Sequence, residues 1–151
     1  MSKAMRMPLI LSLICGVIFG CRDHELEKRF FDTPAGDWVE RSRHYSLEDQ
    51  YKIFRYGNDF KEPPIMGLAG PIAERGAAAV PFLMNQLNAN ADDISVRDIL
   101  LIFEQMEATG SYNVKADGPL IGLLTSKVSA MKDKEWQTIC VKGLQFIRDS
   151  K

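Results

Sequence analysis

The residues that could carry chemistry are few and scattered. The chain has 151 residues, with two histidines, His24 and His44, and three cysteines, Cys15, Cys21 and Cys140. It contains no His-x-x-x-His or Cys-x-x-Cys spacing, so the sequence predicts no metal site. It also contains no Gly-x-Ser-x-Gly turn and no glycine-rich phosphate loop. We therefore predict no catalytic residue, no cofactor and no enzyme activity.

The N-terminus has the composition of a secretory signal peptide. Lys3 and Arg6 make it basic, and the thirteen residues 7–19 are apolar or small except for Ser12. Such a run is too short to cross the roughly 30 Å of bilayer hydrocarbon as a helix, which takes about 20 residues. A basic start, a short apolar run and a small residue at its end predict a signal peptide over residues 1–20.

The end of this run, Ile18-Phe19-Gly20-Cys21, resembles the lipobox of bacterial lipoproteins. The resemblance implies cleavage before Cys21 and acylation of that cysteine, with chains such as palmitate anchoring the protein in a membrane. Arg22 stands where an Asp commonly retains enteric lipoproteins in the inner membrane. The resemblance therefore implies a place in the outer membrane, facing the periplasm. An ordinary signal peptide and an uncleaved N-terminal anchor helix are the alternatives.

The charge balance limits the classes of partner. Cleavage after Gly20 would leave 17 basic and 20 acidic residues, a net charge of −3 with histidine uncharged. Binding to nucleic acid or to an anionic lipid surface needs clustered basic charge, so we expect no nucleic-acid partner and attachment to the membrane through lipid alone. Cys140 would then be the one thiol outside the lipid anchor. We expect it to be a small buried hydrophobic residue rather than a redox or catalytic thiol.

The rest of the chain divides into a leading segment and a helical domain. Residues 21–45 are predicted to hold the lipidated cysteine, a charged solvated tether over 22–29 and an extended stretch that its aromatic residues pin to the domain. From residue 46 to 151 apolar residues recur at helical spacing, which predicts an all-α fold of about six helices. The expected helix starts are at Ser46, Pro63, Pro81, Ser95, Pro119 and Asp133. The first helix is expected to stop at Gly57-Asn58 and the fourth at Gly110.

Two stretches of this domain resemble a HEAT-type helical repeat. They are Gly76-Ala77-Ala78-Ala79-Val80-Pro81-Phe82-Leu83 and Asp92-Asp93-Ile94-Ser95-Val96-Arg97. Pro119 follows Pro81 by 38 residues, within the roughly 34 to 47 residues of helical repeats. The resemblance implies a short stack of antiparallel helix pairs, with Arg97 bonding to neighbouring turns and the flanking helices 46–57 and 133–148 as caps. A compact helical bundle without true repeats is the alternative.

One segment has the composition of a protein contact site. This segment brings aromatic, guanidinium and amide groups close together, in the residues Tyr51, Arg55, Tyr56, Asn58, Asp59 and Phe60, and contact sites favour tyrosine and arginine. We predict partner binding by Tyr51, Arg55, Tyr56 and Asn58, together with Arg97. The alternative is that the aromatic residues belong to the core and the polar residues are merely solvated.

The most consistent interpretation is a lipid-anchored envelope protein that acts as a helical protein-interaction module, as an adaptor or by immunity-type partner binding. HEAT-like proteins usually present helix faces to partners, although a fold does not fix a function. A periplasmic enzyme or solute-binding protein that uses a helical groove is the rival from another class. A purely structural envelope lipoprotein is the third possibility.

The lipobox resemblance generates the first testable prediction. We expect Cys21→Ser to abolish acylation, because the sulfur of Cys21 is the predicted attachment point. Metabolic labelling with a fatty acid measures this, with Cys15→Ser as the matched control that keeps its label. Unchanged labelling of the Cys21→Ser chain would contradict the prediction.

Overall fold

A computed structural model of the chain describes residues 24–89 and 92–150, and in these ranges it is all-α, as the sequence predicts. The predictions for residues 1–20 and for Cys21 lie outside the described residues. Eight α-helices are present in the described ranges, rather than about six. They are α1 (Glu25–Phe31), α2 (Trp38–Ser42), α3 (Leu47–Phe60), α4 (Ala69–Ala73), α5 (Val80–Asn88), α6 (Asp93–Thr109), α7 (Gly118–Ser129) and α8 (Lys134–Asp149). No helix in the described ranges is long and apolar enough to cross a membrane.

Short polar side chains begin the long helices. Ser46 caps α3 as predicted, its hydroxyl accepting the Asp49 N–H at 3.2 Å. The prediction that Ser95 caps the fourth predicted helix is wrong. The carboxylate of Asp92 accepts the Ser95 N–H at 2.7 Å, so that helix, α6, starts at Asp93. It ends at Gly110 as predicted, because Gly110 has a φ of 70°, which glycine adopts without steric cost.

The predicted stop of α3 at Gly57-Asn58 is wrong, because both residues are buried inside the helix, which continues to Phe60. A Cβ at position 57 would lie only 3.1 Å from the Phe31 ring, so this glycine allows close packing rather than ending the helix. The predicted helix start at Pro63-Pro64 is also wrong. Regular α-helix resumes at Ala69, after a 3-10 turn over Met66–Leu68.

The described residues before Ser46 include two short α-helices instead of the predicted solvated tether and extended stretch. Helix α1 covers Glu25–Phe31, and its residues Glu27, Phe30 and Phe31 are buried. The Phe31 ring packs edge-on against both Phe30, at 5.0 Å between ring centroids, and Trp38, at 4.9 Å. The aromatic residues do hold this segment against the domain, but they do so from two short helices. A helix also pairs the backbone N–H and C=O groups that are buried together with two consecutive rings.

Helix α6 is the centre of the packing. It contacts α4, α5, α7 and α8, while α5 also contacts α7. Its buried side chains are Val96, Asp98, Ile99, Leu100, Ile102, Phe103 and Met106. Leu83 of α5 and Leu124 of α7 are fully buried, as the helical spacing of the apolar residues around them indicates.

Gly143 lets α8 approach α6 closely. A Cβ there would lie 3.2 Å from the Leu100 side chain and would collide with the carboxylate of Glu104. Cys140, one turn earlier on α8, is buried as predicted. Burial, and to a smaller extent the Glu104 carboxylate, raises the pKa of the Cys140 thiol to about 11.

This pKa generates a prediction for thiol labelling. The thiolate is the reactive form, so we expect iodoacetamide to label native Cys140 slowly at about pH 8 and faster as the pH rises toward about 11. A chain carrying Cys15→Ser and Cys21→Ser isolates this thiol. In denaturant the same chain should label with an apparent pKa of about 8.5. Rapid native labelling with that unshifted pKa would contradict the burial.

Candidate functional site

A cavity in the described part of the chain lies beside α3. It has a volume of about 750 Å³ and is lined by α1, α3, α5 and the start of α6. We call it the α3 groove. Its lining residues are His24, Leu26, Glu27, Glu48, Asp49, Tyr51, Lys52, Arg55, Tyr56, Asp59, Phe60, Phe82, Gln86, Ala89, Asp92 and Ser95.

Helix α3 supplies half of this lining because it is amphipathic. Residues 48, 52, 55, 56, 59 and 60 recur at intervals of three and four and therefore share one face of the helix. Ile53 and Phe54 point the other way and are fully buried in the core. The apolar face thus fixes the direction in which the polar and aromatic face opens.

The structure brings together three of the five residues predicted to bind a partner. Tyr51, Arg55 and Tyr56 all line the α3 groove. Asn58 does not, because it faces the protein interior and is buried, with both amide atoms making no hydrogen bond to a described residue. Arg97 lies outside the groove, where its guanidinium stacks 4.4 Å from the centroid of the Trp136 ring.

A buried carboxylate links Arg97 to the groove. Asp98 accepts hydrogen bonds from Arg97 at 2.6 and 2.8 Å and from Arg55 at 3.2 Å, while its own side chain is completely buried. Burial raises the pKa of Asp98, and the two guanidinium groups partly offset that rise. Arg55 also reaches Asp59 at 3.2 Å, so its head is held between two carboxylates at the side of the groove.

Aromatic rings form two clusters in the groove. Tyr51 packs edge-on against Phe82 with 5.5 Å between ring centroids. Tyr56, Phe60 and His24 form the second cluster, with centroid distances of 4.7, 5.2 and 5.5 Å. Burial raises the pKa of Tyr51 to about 12 against the opposing effect of Arg55, so its hydroxyl stays protonated at neutral pH.

Local ion pairs already occupy some of the charged groups. Lys52 reaches Glu48 at 3.0 Å and Asp49 at 3.6 Å, both within one turn or so of α3. Such exposed pairs contribute about 0–1 kcal/mol, so a partner can displace them at little cost. Glu27 is buried at the edge of the groove, and His24 Nδ1 lies 3.3 Å from its carboxylate.

A second, smaller cavity of about 270 Å³ lies between the 63–68 turn, α6 and α8. It is lined mostly by apolar side chains, with Cys140 and Glu104 among them, and burial raises the pKa of Glu104. Exposed Met66 and Ile139 border it. The sequence did not single out this cavity, because its walls come from segments more than 30 residues apart.

The chemistry that the α3 groove offers is recognition by ion pairing, hydrogen bonding and ring stacking. In the described ranges no three His, Cys, Asp or Glu side chains are grouped so that they could hold a metal ion. Sequence reasoning missed several parts of this site, namely His24, Phe82 and the acidic residues Glu27, Glu48, Asp49 and Asp92. The helical spacing of 48, 52, 55 and 59 was the available signal for the α3 members, whereas no sequence signal places α1 and α5 opposite them.

No family model, no curated protein and no solved structure matches the chain.

The Asp98 cluster generates a prediction for stability. We expect Asp98→Ala to lower the free energy of unfolding by about 3–5 kcal/mol, because it leaves two largely buried guanidinium groups without their shared carboxylate. The matched control is Asp59→Asn, which removes a partly exposed partner of the same Arg55 and should cost no more than about 1 kcal/mol. Urea denaturation followed by circular dichroism measures both. Equal losses in the two variants would contradict a special role for the buried carboxylate.

Proposed function

We propose that this protein is a lipid-anchored envelope protein that acts as a helical protein-interaction module, with the α3 groove as its contact surface. The observation that carries the proposal is the convergence of Tyr51, Arg55, Tyr56 and Phe60 on one concave surface. Tyrosine and arginine are the side chains that most often dominate the energy of protein interfaces. Adaptor and immunity-type binding both fit such a surface.

The proposed lipid attachment places this surface near the membrane. Two residues lie between Cys21 and His24, and the three residue steps from one to the other span at most about 10 Å. His24 itself lines the α3 groove and contacts Tyr56 and Phe60. A lipid on Cys21 would therefore hold the groove within about 10 Å of the membrane surface. The proposed partner is accordingly a protein that exposes a segment at that surface.

We also propose that the helices form a short HEAT-like stack. The arrangement that supports this is the contact of alternate helices, α4 with α6 and α6 with α8 on one side, and α5 with α7 on the other. Helix pairs stacked in two layers have this order of contacts. Pro81 and Pro119 each stand in the first turn of the second helix of a pair, α5 and α7.

A solute-binding role is the second candidate, and the size of the groove is the observation that favours it. A volume of about 750 Å³ falls within the roughly 300–1,000 Å³ of small-molecule sites. Such sites are lined mainly by apolar side chains, whereas this groove carries seven Asp, Glu, Lys or Arg side chains. We therefore favour a protein partner.

Photo-crosslinking in the native envelope tests the proposal. We expect p-benzoylphenylalanine at Phe60, an exposed groove residue, to give a discrete protein adduct. The same probe at Val141, an exposed residue of α8 outside the groove, is the matched control and should not give it. Tyr51→Ala should weaken the adduct at position 60, since it removes an aromatic contact.

The outcomes separate the candidates. Identical adducts at positions 60 and 141, or no adduct at either, would contradict the proposed interaction surface. A small molecule retained by the purified protein in native mass spectrometry, without any protein adduct, would favour the solute-binding role. Loss of the adduct in Cys21→Ser would support a partner at the membrane surface.

A further inference from the structure

The α3 groove has an excess of negative charge. Its lining includes five carboxylates, Glu27, Glu48, Asp49, Asp59 and Asp92, against the two basic side chains Lys52 and Arg55. The buried Asp98 lies behind Arg55, and Arg97 also pairs with it, so it adds no net charge to the groove. A concave surface lined by one sign of charge focuses its potential and attracts groups of the opposite sign.

One of these carboxylates is buried without a strong internal cation. Glu27 is only 7 % exposed, although it lines the groove. Among the described residues its ion-pair partner is the imidazole of His24, at 3.3 Å, and no lysine or arginine reaches it. A carboxylate in such a place is costly unless it is paired. An added cation in the groove would therefore stabilise this carboxylate further.

Aromatic rings stand beside that carboxylate. The His24 ring, which contacts Glu27, also packs against Tyr56 and Phe60. Phe60 is 60 % exposed, the largest exposed fraction among the large hydrophobic side chains that the structure describes. Ring faces attract ammonium and guanidinium groups, and this attraction is strongest where water is excluded. Rings and a carboxylate together form a surface suited to a cationic side chain with an apolar stem.

We infer that the occupant of the α3 groove is a basic segment of the partner protein, with lysine or arginine side chains placed against the exposed Phe60 ring and beside the carboxylates that line the groove. This inference deepens the proposed function and rests on it. The acidic lining disfavours nucleic acid and anionic lipid headgroups, because both carry the same sign of charge as the groove.

Binding of simple charged peptides tests the inference. The probe is fluorescein-labelled hexalysine amide, measured by fluorescence anisotropy with the full chain in a neutral detergent at about 0.01 M ionic strength, where screening is weak. We expect hexalysine to bind and hexaglutamate amide not to bind. Raising the ionic strength to about 0.15 M should weaken the binding.

Two sets of variants assign the binding to the groove. Glu48→Gln with Asp59→Asn should weaken hexalysine binding about tenfold, because it removes two rim charges. Phe60→Leu keeps an apolar side chain but removes the ring, and should weaken binding about two- to fivefold. The matched control is Glu135→Gln with Asp149→Asn, which makes the same change in net charge at two exposed positions of α8. It should change the affinity by less than about twofold.

Each other result overturns the inference. If Glu135→Gln with Asp149→Asn weakened hexalysine binding as much as the groove substitutions do, hexalysine would be responding only to the net charge of the protein. Absence of hexalysine binding, or equal binding of hexaglutamate, would exclude a cationic occupant. Circular dichroism of each variant establishes that its fold is intact before its affinity is compared.

Competition distinguishes this inference from the proposed function. We expect hexalysine to block the protein adduct formed from position 60. If the adduct forms and hexalysine neither binds nor competes, the interaction module stands and the basic occupant is wrong. If hexalysine binds with the groove-specific losses but no adduct forms in the envelope, the groove recognises cations and the protein-partner role is wrong.

Discussion

The buried carboxylate of Asp98 is the interaction on which the geometry of the groove depends. It joins Arg55 of α3 to Arg97 of α6, and it does so where its own side chain has no contact with water. Burying an ionised group is favourable only if hydrogen bonds and opposite charges replace its hydration. The two guanidinium groups meet that requirement, and in doing so they fix α3 against the start of the central helix. Arg55 can then hold Asp59 on the groove side of α3.

Close contact between helices supplies the second constraint. Gly57 brings α3 against Phe31, and Gly143 brings α8 against Leu100 and Glu104 of α6. Because these two residues have no Cβ, the helix backbone comes closer to the neighbouring side chains than any other residue would allow. The same contact at Gly57 positions α1, whose first turn carries Glu27 and ends the groove. The position of the proposed cation site therefore depends on a glycine that lies outside it.

The short distance between the proposed lipid and the groove links the two halves of the proposed function. A solvated tether would have let the domain sample many orientations and distances from the membrane. Helix α1 begins at Glu25, so little chain remains between Cys21 and a folded element. Under the proposed lipidation, the groove would meet partners that are themselves at the membrane, and its negative charge would favour exposed basic segments among them.

The sequence alone determined the fold class, the starts of α3, α5, α7 and α8, and the buried faces of the long helices. Apolar spacing at three and four residues is a local property, and so are the Ser46 cap, the Gly110 end and the proline in the first turn of α5 and α7. It also picked out Tyr51, Arg55 and Tyr56, because they are close together on one helix.

Tertiary structure decided what those local signals left open. From the sequence, Gly57 indicates a helix end, but in the structure it lies inside α3 with Phe31 packed against it. Asn58 indicates a surface amide, but it is buried. The charged start of α1 is held against the domain by Phe30, which packs on Tyr45, and by Phe31, which packs on Trp38 and close to Gly57. Glu27, Phe82 and Asp98 join α3 from distant parts of the chain, and pairing across such distances leaves no periodic trace in the sequence. Each helix is determined by residues a few positions apart in the sequence, whereas the groove is determined by which helices pack together.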